Sequence, residues 1–474
     1  MEEIIEWKTS LVLNKTQITI PEHILETIRK GLDFNGPNTW EVLDIIPNLD
    51  RMCNELEDTE SRILKTTLNK NYYKYKDEIE TLQKFLSDNQ LDLIRADKSK
   101  QIIIVTQKWV KSKQLEIVEG KKFRKLPINP KETLYEELKK RVIKLQKLNK
   151  ITRAEREFIL NQDNDRTPKL NVKLKTHKMG EKVRPIVDFK FATLYNLEKF
   201  LKQKLKKYQN SKHSIKNTEE LLDSLKNVKI EKTSKMASLD VIDMYPSIKW
   251  ELIEDKLKKL EVESHIIELI EFAYMSNYFE IDEEYYTQNN GISMGSVIGP
   301  KLAEIIMIDV DKEINNITGI KYYKRYVDDV LIIYNDAEVK PNMIKHIINN
   351  IDKDIQFKIE EENVADNSIR YLDVMITRNE NELDFEPFKK PCSINTTIKY
   401  TSNIPLYIKQ NIFNMEYRKI QNRTSKETNK PKHIIELKKK SRFEEKDPIP
   451  LKKAYQLLLK TTAANCDILL IKVK

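Results

Sequence analysis

The spacing of hydrophobic positions changes period several times along the chain. From Ser61 to Gln90, apolar residues fall at Ile63, Leu64, Leu68, Tyr72, Tyr73, Ile79, Leu82 and Leu86, close to helical spacing. Gln101-Ile-Ile-Ile-Val105 reads as a strand, and residues 130–163 return to a helical pattern. Asn164-Asp-Arg-Thr-Pro168 is a loop, and Leu170 to Val187 predicts a hairpin turning near Met179-Gly180-Glu181. Helix is predicted over 191–230 and 249–280, with a short strand end at Ala237-Ser-Leu-Asp240 between them. A helix follows from about Ser296 to Ile314 and another near 341–351. A hairpin spans Ile369 to Phe388, turning at Arg378-Asn-Glu-Asn381, and the remainder reads as helical and basic. Short strands interleaved with helices and joined by tight turns predict an α+β fold.

One segment departs from ordinary periodicity. Lys321-Tyr-Tyr-Lys-Arg-Tyr326-Val327-Asp328-Asp329-Val330-Leu-Ile-Ile-Tyr334 holds two β-prone runs broken only by adjacent aspartates. A two-residue break suits a tight hairpin turn, which places Asp328 and Asp329 at its tip. Two carboxylates at a strand end repel each other, and a hard divalent cation such as Mg²⁺ turns that repulsion into attraction.

Composition narrows the partners. The 474 residues carry 84 Lys+Arg against 74 Asp+Glu, a net charge of +10, which favours a polyanion such as nucleic acid. Three scattered cysteines, Cys53, Cys392 and Cys466, predict neither a disulfide framework nor a thiolate zinc site. The acidic start Met-Glu-Glu-Ile-Ile-Glu does not read as a signal peptide, and no run of about 18 apolar residues predicts a membrane span.

Further chemistry gathers around the aspartates. Asp240 closes an apolar strand and opens Asp240-Val-Ile-Asp-Met-Tyr245-Pro-Ser247; it serves as a helix cap or as a third carboxylate beside Asp328. Tyr245, five residues on, is placed to stack under a sugar and exclude a 2′-hydroxyl, or is an ordinary half-buried tyrosine. Three of only eight glycines, Gly291, Gly295 and Gly299, fall within nine residues just before a helix, where a ligand could approach the backbone closely. Lys173, Lys175, Lys178 and Arg184 surround the 170–187 hairpin, and Arg184 is the candidate for a bidentate grip on phosphate. Lys438-Lys-Lys-Ser-Arg442 forms a basic patch near the C-terminus.

In chain order these pieces resemble reverse transcriptases: Arg184-Pro-Ile, Leu239-Asp240 with Tyr245, Met294-Gly295-Ser296, and Tyr326-Val-Asp-Asp329. The finer spelling is similar to the Penelope-like retroelement family. It comprises Ala96-Asp97-Lys98 before a β run, Lys175-Thr-His177-Lys178 ahead of Arg184-Pro-Ile, Gly291-Ile-Ser-Met294-Gly295-Ser296, Tyr371-Leu372-Asp373-Val374, and Ser402-Asn-Ile404-Pro405 followed by Lys409. Gly299 stands where that family usually has Ser, and Ile404 where it has His. No GIY-YIG nuclease motif is read after residue 424.

The resemblance implies a right-hand polymerase: an N-terminal helical extension (1–90), fingers (91–235), an antiparallel-sheet palm (236–390), and a helical thumb with a basic tail (391–474). It implies RNA-directed DNA synthesis with two Mg²⁺ ions, replaceable by Mn²⁺, held by Asp240, Asp328 and Asp329. Nucleotide contacts fall to Lys173, Arg184, Val241, Tyr245, Met294 and Gly295, and a primer grip to Tyr371, Leu372 and Asp373. Partners are an RNA template, a DNA primer, dNTPs, and either a separate endonuclease or pre-existing DNA 3′ ends, in the nucleus. Two alternatives stay open: an RNA-dependent RNA polymerase or terminal transferase, and a protein that binds nucleic acid without catalysis.

Overall fold

The structure, a computed structural model, describes residues 11–32, 34, 75–161, 166–176, 180–208, 211–390, 402, 404 and 406–440. Several expectations lie outside these residues: the start of the 61–90 helix, all three cysteines, His177, Lys178 and Met179, much of the Ser402–Lys409 motif, and the tail beyond 440. Two compact units emerge. One comprises 1–109, 174–181 and 390–474; the other comprises 110–173 and 182–389.

In the first unit, the predicted strand at 101–105 is present as Ile102–Thr106. It lies between Val12–Asn14, which is parallel to it, and the antiparallel Leu91–Arg95. Ile102 through Val105 are all buried, as fits a central strand. Ile24 and Ile28 of the helix Glu22–Arg29, and Leu82 of a helix over 75–88, pack on it. Helices Leu406–Arg423 and Lys430–Lys440 meet through Phe413, Tyr417, Ile420 and Leu437.

The second unit is built on a four-stranded antiparallel sheet. Its order is Ile320–Tyr326, Asp329–Asn335, Ser234–Val241, Phe357–Glu361. Alternation along the central strand Ser234–Val241 sends Ala237, Leu239 and Val241 into the large core under the long helix Gly299–Asn316. It sends Met236 to the other face, where Leu331 and Ile333 join it. That second face is covered by the helix Thr218–Leu225 and by a three-stranded sheet contributing Ile369, Tyr371, Val374 and Ile376. A five-stranded sheet completes the unit, with Lys169–Leu174 beside Val183–Asp188 as the predicted hairpin.

Several elements differ from the sequence reading. The aspartate hairpin is present, but Tyr326 pairs with Asp329, so the turn residues are Val327 and Asp328, and Asp329 is already strand. The helix expected over 191–230 breaks into Tyr195–Lys204 and Thr218–Leu225, because Ser214 bridges Arg325 between them and Asn217 caps the second piece. The helix expected over 249–280 is two helices, Trp250–Lys259 and Ser264–Met275, parted at the left-handed Glu261; aromatic β-formers then make a hairpin of Tyr278–Ile281 and Glu284–Gln288, turned at the left-handed Asp282 and Glu283. The 369–388 segment is three strands with an extra tight turn at Leu372-Asp373. The edge strand Phe357–Glu361 is hard to read from the hydrophobic pattern because it is short and its outward positions are charged, with only Phe357 and the partly buried Ile359 packing on the core.

Candidate active site

The central register decides where the acidic residues go. Asp329 stands directly opposite Asp240, and Lys358 stands opposite Asp240 on its other side. Opposed residues of an antiparallel pair share a face, so Lys358, Asp240, Asp329 and Tyr326 form one row across four strands. Lys358 Nζ lies 2.6 Å from Asp240 Oδ2. Asp328 is held beside the row in the turn. Val327, before it, has φ +57°, a left-handed conformation that a β-branched residue adopts only at a cost of about 1–3 kcal/mol.

The predicted tyrosine closes one side. Tyr245 sits on the short helix Met244–Ser247 that follows the central strand. Burial, and then the charge of Asp328, push its hydroxyl above its ordinary value, so the ring lies within the electrostatic reach of the carboxylate turn. Asp243, just before it, is left-handed (φ +47°) and turns the chain sharply out of the strand. Val241 is buried, and its side chain joins the core rather than the carboxylate face. That placement leaves only its backbone for contact with a nucleotide.

The glycine cluster turns out to be a backbone joint. Ile292 N–H donates to the Tyr245 carbonyl at 2.8 Å, and Val187 N–H donates to the Met294 carbonyl at 2.8 Å. A Cβ on Gly295, which has φ +128°, would lie 1.9 Å from the Val187 carbonyl oxygen. One on Gly291 would lie 2.6 Å from the Pro246 carbonyl oxygen. The close approach the glycines permit is thus to protein backbone, and it ties the Val183–Asp188 strand carrying Arg184 to the Tyr245 helix. Lys173 lies on the neighbouring strand.

Opposite this joint, Tyr371 donates its hydroxyl to the Asp329 carbonyl at 2.7 Å. Leu372 is left-handed (φ +52°), and Asp373 accepts from Thr218 Oγ1 at 2.5 Å. The tight turn predicted as a primer grip therefore adjoins the aspartate strand.

Two participants were not legible beforehand. Lys358 is one of 84 basic residues in a strand that was missed. Glu198 is buried, and its Oε2 accepts from Ser296 Oγ at 2.9 Å, Val297 N–H at 2.5 Å and Ile298 N–H at 3.2 Å. It caps the start of the long helix from a distant segment, a contact no local pattern reveals.

Among the described residues, no three His, Cys, Asp or Glu side chains are gathered tightly enough to hold a metal ion by themselves. The donor set still fits Mg²⁺. This ion takes one or two carboxylates and completes its shell with water and substrate phosphate oxygens. Asp240 and Asp329 would supply the facing carboxylates, and one of them, Asp240, already holds a cation, the Lys358 ammonium. Among the described residues no helix is long and apolar enough to cross a membrane.

Residues 176–374 match the family model for reverse transcriptase (RNA-dependent DNA polymerase). No curated protein matches the chain. Among solved structures, telomerase from Candida albicans, in complex with a TWJ fragment of telomeric RNA, aligns with a TM-score of 0.51 at 12% identity, over 77% of this chain. The chain spans 63% of the length of that telomerase chain. Apo telomerase from Candida tropicalis aligns with a TM-score of 0.49 at 12% identity, over 86% of this chain and 73% of its own. The mixed α+β architecture with antiparallel sheets is the right-hand polymerase fold.

Proposed function

We infer that this chain, which carries a reverse transcriptase domain over residues 176–374, is an RNA-directed DNA polymerase. The observation that carries the reading is the register that sets Asp329 across from Asp240, with Asp328 in the adjoining turn. In the proposed reaction the primer 3′-hydroxyl attacks the α-phosphorus of a dNTP; a new P–O bond forms and the bond to pyrophosphate breaks. Two divalent ions, Mg²⁺ or Mn²⁺, held by Asp240, Asp328 and Asp329, would neutralise the charge that develops on the attacking and leaving oxygens.

The chain's own side chains supply the rest. Lys358 balances Asp240 while no cation is bound. Tyr245 is the floor under the incoming sugar, Arg184 and Lys173 grip the triphosphate, and Met294 and Gly295 shape the joint behind it. Tyr371, Leu372 and Asp373 brace the primer end, with the Tyr371 hydroxyl fixing the Asp329 backbone. An aromatic at 245 favours deoxynucleotides over ribonucleotides, which sets this reading above an RNA-dependent RNA polymerase. The Penelope-like spelling of the motifs supports a retroelement enzyme in the nucleus. It would extend a DNA primer on an RNA template, from pre-existing 3′ ends or from nicks made by a separate endonuclease.

Extension of oligo(dT) on poly(rA) with Mg²⁺ tests the reading. The wild-type chain should extend and Asp328→Asn should not. Equal rates for the two would overturn the assignment, and wild-type binding without extension in either Mg²⁺ or Mn²⁺ would favour the non-catalytic alternative.

A further inference from the structure

Arg325 is the largest fully buried side chain among the described residues, and its guanidinium is 0% exposed. Its Nε lies 2.7 Å from Asp311 Oδ1 and its Nη2 2.8 Å from Oδ2. Nη1 and Nη2 reach Glu304 at 3.0 and 3.2 Å. The remaining donor on Nη1 goes to the Val327 carbonyl at 2.6 Å. A guanidinium has five N–H donors, and these five bonds use them all.

Both acids come from the long helix Gly299–Asn316. Asp311 is itself held by Ser211 Oγ at 2.6 Å and by the Tyr323 hydroxyl. The Arg325 backbone is pinned as well, its N–H to the His213 carbonyl and its C=O to the Ile215 N–H, each at 2.8 Å.

A buried ion cluster is a poor source of stability, because desolvation offsets the attraction. Its geometry here suggests another use. Val327 is the strained, left-handed residue of the turn that presents Asp328 and Asp329, and its carbonyl is the one non-carboxylate target of the guanidinium. We propose that Arg325, clamped by Glu304 and Asp311, is the positioning residue of the aspartate turn: it holds the Val327 carbonyl so that Asp328 and Asp329 keep a metal-binding geometry. The clamp lies on the core face of the sheet, since Arg325 pairs with Val330. It therefore acts through the backbone and touches no substrate. The catalytic consequence rests on the polymerase reading; the metal-binding consequence does not.

The test uses the full chain with Glu304→Gln, which keeps shape but weakens the anchor. Mn²⁺ affinity, followed by electron paramagnetic resonance, should fall about tenfold, as for other residues that orient metal ligands. The kcat should drop while primer–template affinity stays at the wild-type level. Glycine takes the left-handed conformation without penalty, so adding Val327→Gly to Glu304→Gln should recover much of the Mn²⁺ affinity. A merely structural role would not give that rescue.

Should Glu304→Gln fail to fold, Tyr323→Phe removes one donor to Asp311 and should shift Mn²⁺ affinity in the same direction by less. Wild-type Mn²⁺ affinity in a folded variant, or no recovery with glycine at 327, overturns the proposal. A wild-type chain that binds Mn²⁺ yet extends no primer would instead count against the polymerase reading.

Discussion

Lys358 faces Asp240 across the sheet with its Nζ 2.6 Å from Oδ2, occupying the carboxylate that the proposed cation needs. Its hydrogen bond to Asp240, with the attraction of that charge, raises the Lys358 ammonium above its ordinary value, so it stays charged across the neutral range. Cation binding must displace this side chain. Lys358→Gln should therefore bind Mn²⁺ more tightly, on the order of three- to tenfold, since both a competitor and a repelling charge are gone. The pair is largely exposed, so its loss should cost the metal-free protein less than about 1 kcal/mol. A Mn²⁺ titration of the two proteins, with thermal melts in chelator, measures both effects; equal or weaker binding by the variant would contradict the competition.

The Gly295–Val187 contact makes a prediction about stability rather than chemistry. A methyl at 295 has its nearest neighbour at 1.9 Å, a backbone carbonyl that has little room to move, and the residue is left-handed as well. Overpacking and dihedral strain together should cost Gly295→Ala about 2–5 kcal/mol. Gly120 has nothing within 4 Å of its added Cβ and no left-handed dihedral, so Gly120→Ala should stay within about 1 kcal/mol of wild type. Urea unfolding of the pair checks the contrast.

The acidic site was legible in the sequence because its signals are local. Two β-prone runs with aspartates between them force a hairpin, and an apolar strand ending at Asp240 needs a partner. What local pattern did not supply was register. The exact turn, Val327-Asp328 instead of Asp328-Asp329, is set by pairing across strands and by a strained valine that no propensity favours. The 278–288 hairpin was missed for a related reason: its Tyr-Phe and Tyr-Tyr pairs suit both a helix face and a strand. Lys358 and Glu198 were invisible because each meets its partner more than 90 residues away in the chain.

Glu198 gives a pH signature. Burial is the main influence on its carboxyl and raises it above its ordinary value, against the lowering effect of the Ser296 hydroxyl and the Ile298 and Val297 N–H groups. The sign follows from linkage. Below the ordinary glutamate range the group is protonated in both folded and unfolded chains and contributes no pH dependence. As pH rises toward and through the raised folded value, the unfolded chain loses its proton more readily, and stability falls. Glu198→Gln keeps an oxygen to accept the same N–H groups but has no proton to lose. The stability of the variant relative to wild type should therefore improve as pH rises above the ordinary glutamate range and level off above the raised folded value. Thermal melts from pH 4 to pH 8 test it, and a parallel pH profile for the two proteins would mean that Glu198 is not held in its neutral form.

Tyr245 carries the prediction that most directly probes substrate choice. Its ring is half-buried beside Asp328, and its carbonyl is fixed by the Ile292 N–H at 2.8 Å, so the side chain has a rigid base. A rigid aromatic under the sugar excludes a 2′-hydroxyl by contact, and trimming it should admit one. Tyr245→Val should lower the preference for dNTP over rNTP, measured as the ratio of kcat/KM values, on the order of 10- to 100-fold. The change should come mainly from faster rNTP use, with dNTP incorporation reduced far less. Because Ile292 bonds to the backbone of residue 245, the joint to the glycine segment survives the substitution, and a melt should confirm that the fold is kept. Side-by-side incorporation of labelled dNTPs and rNTPs on one primer–template gives the ratio; an unchanged preference in a folded, active variant would assign sugar selection to another residue.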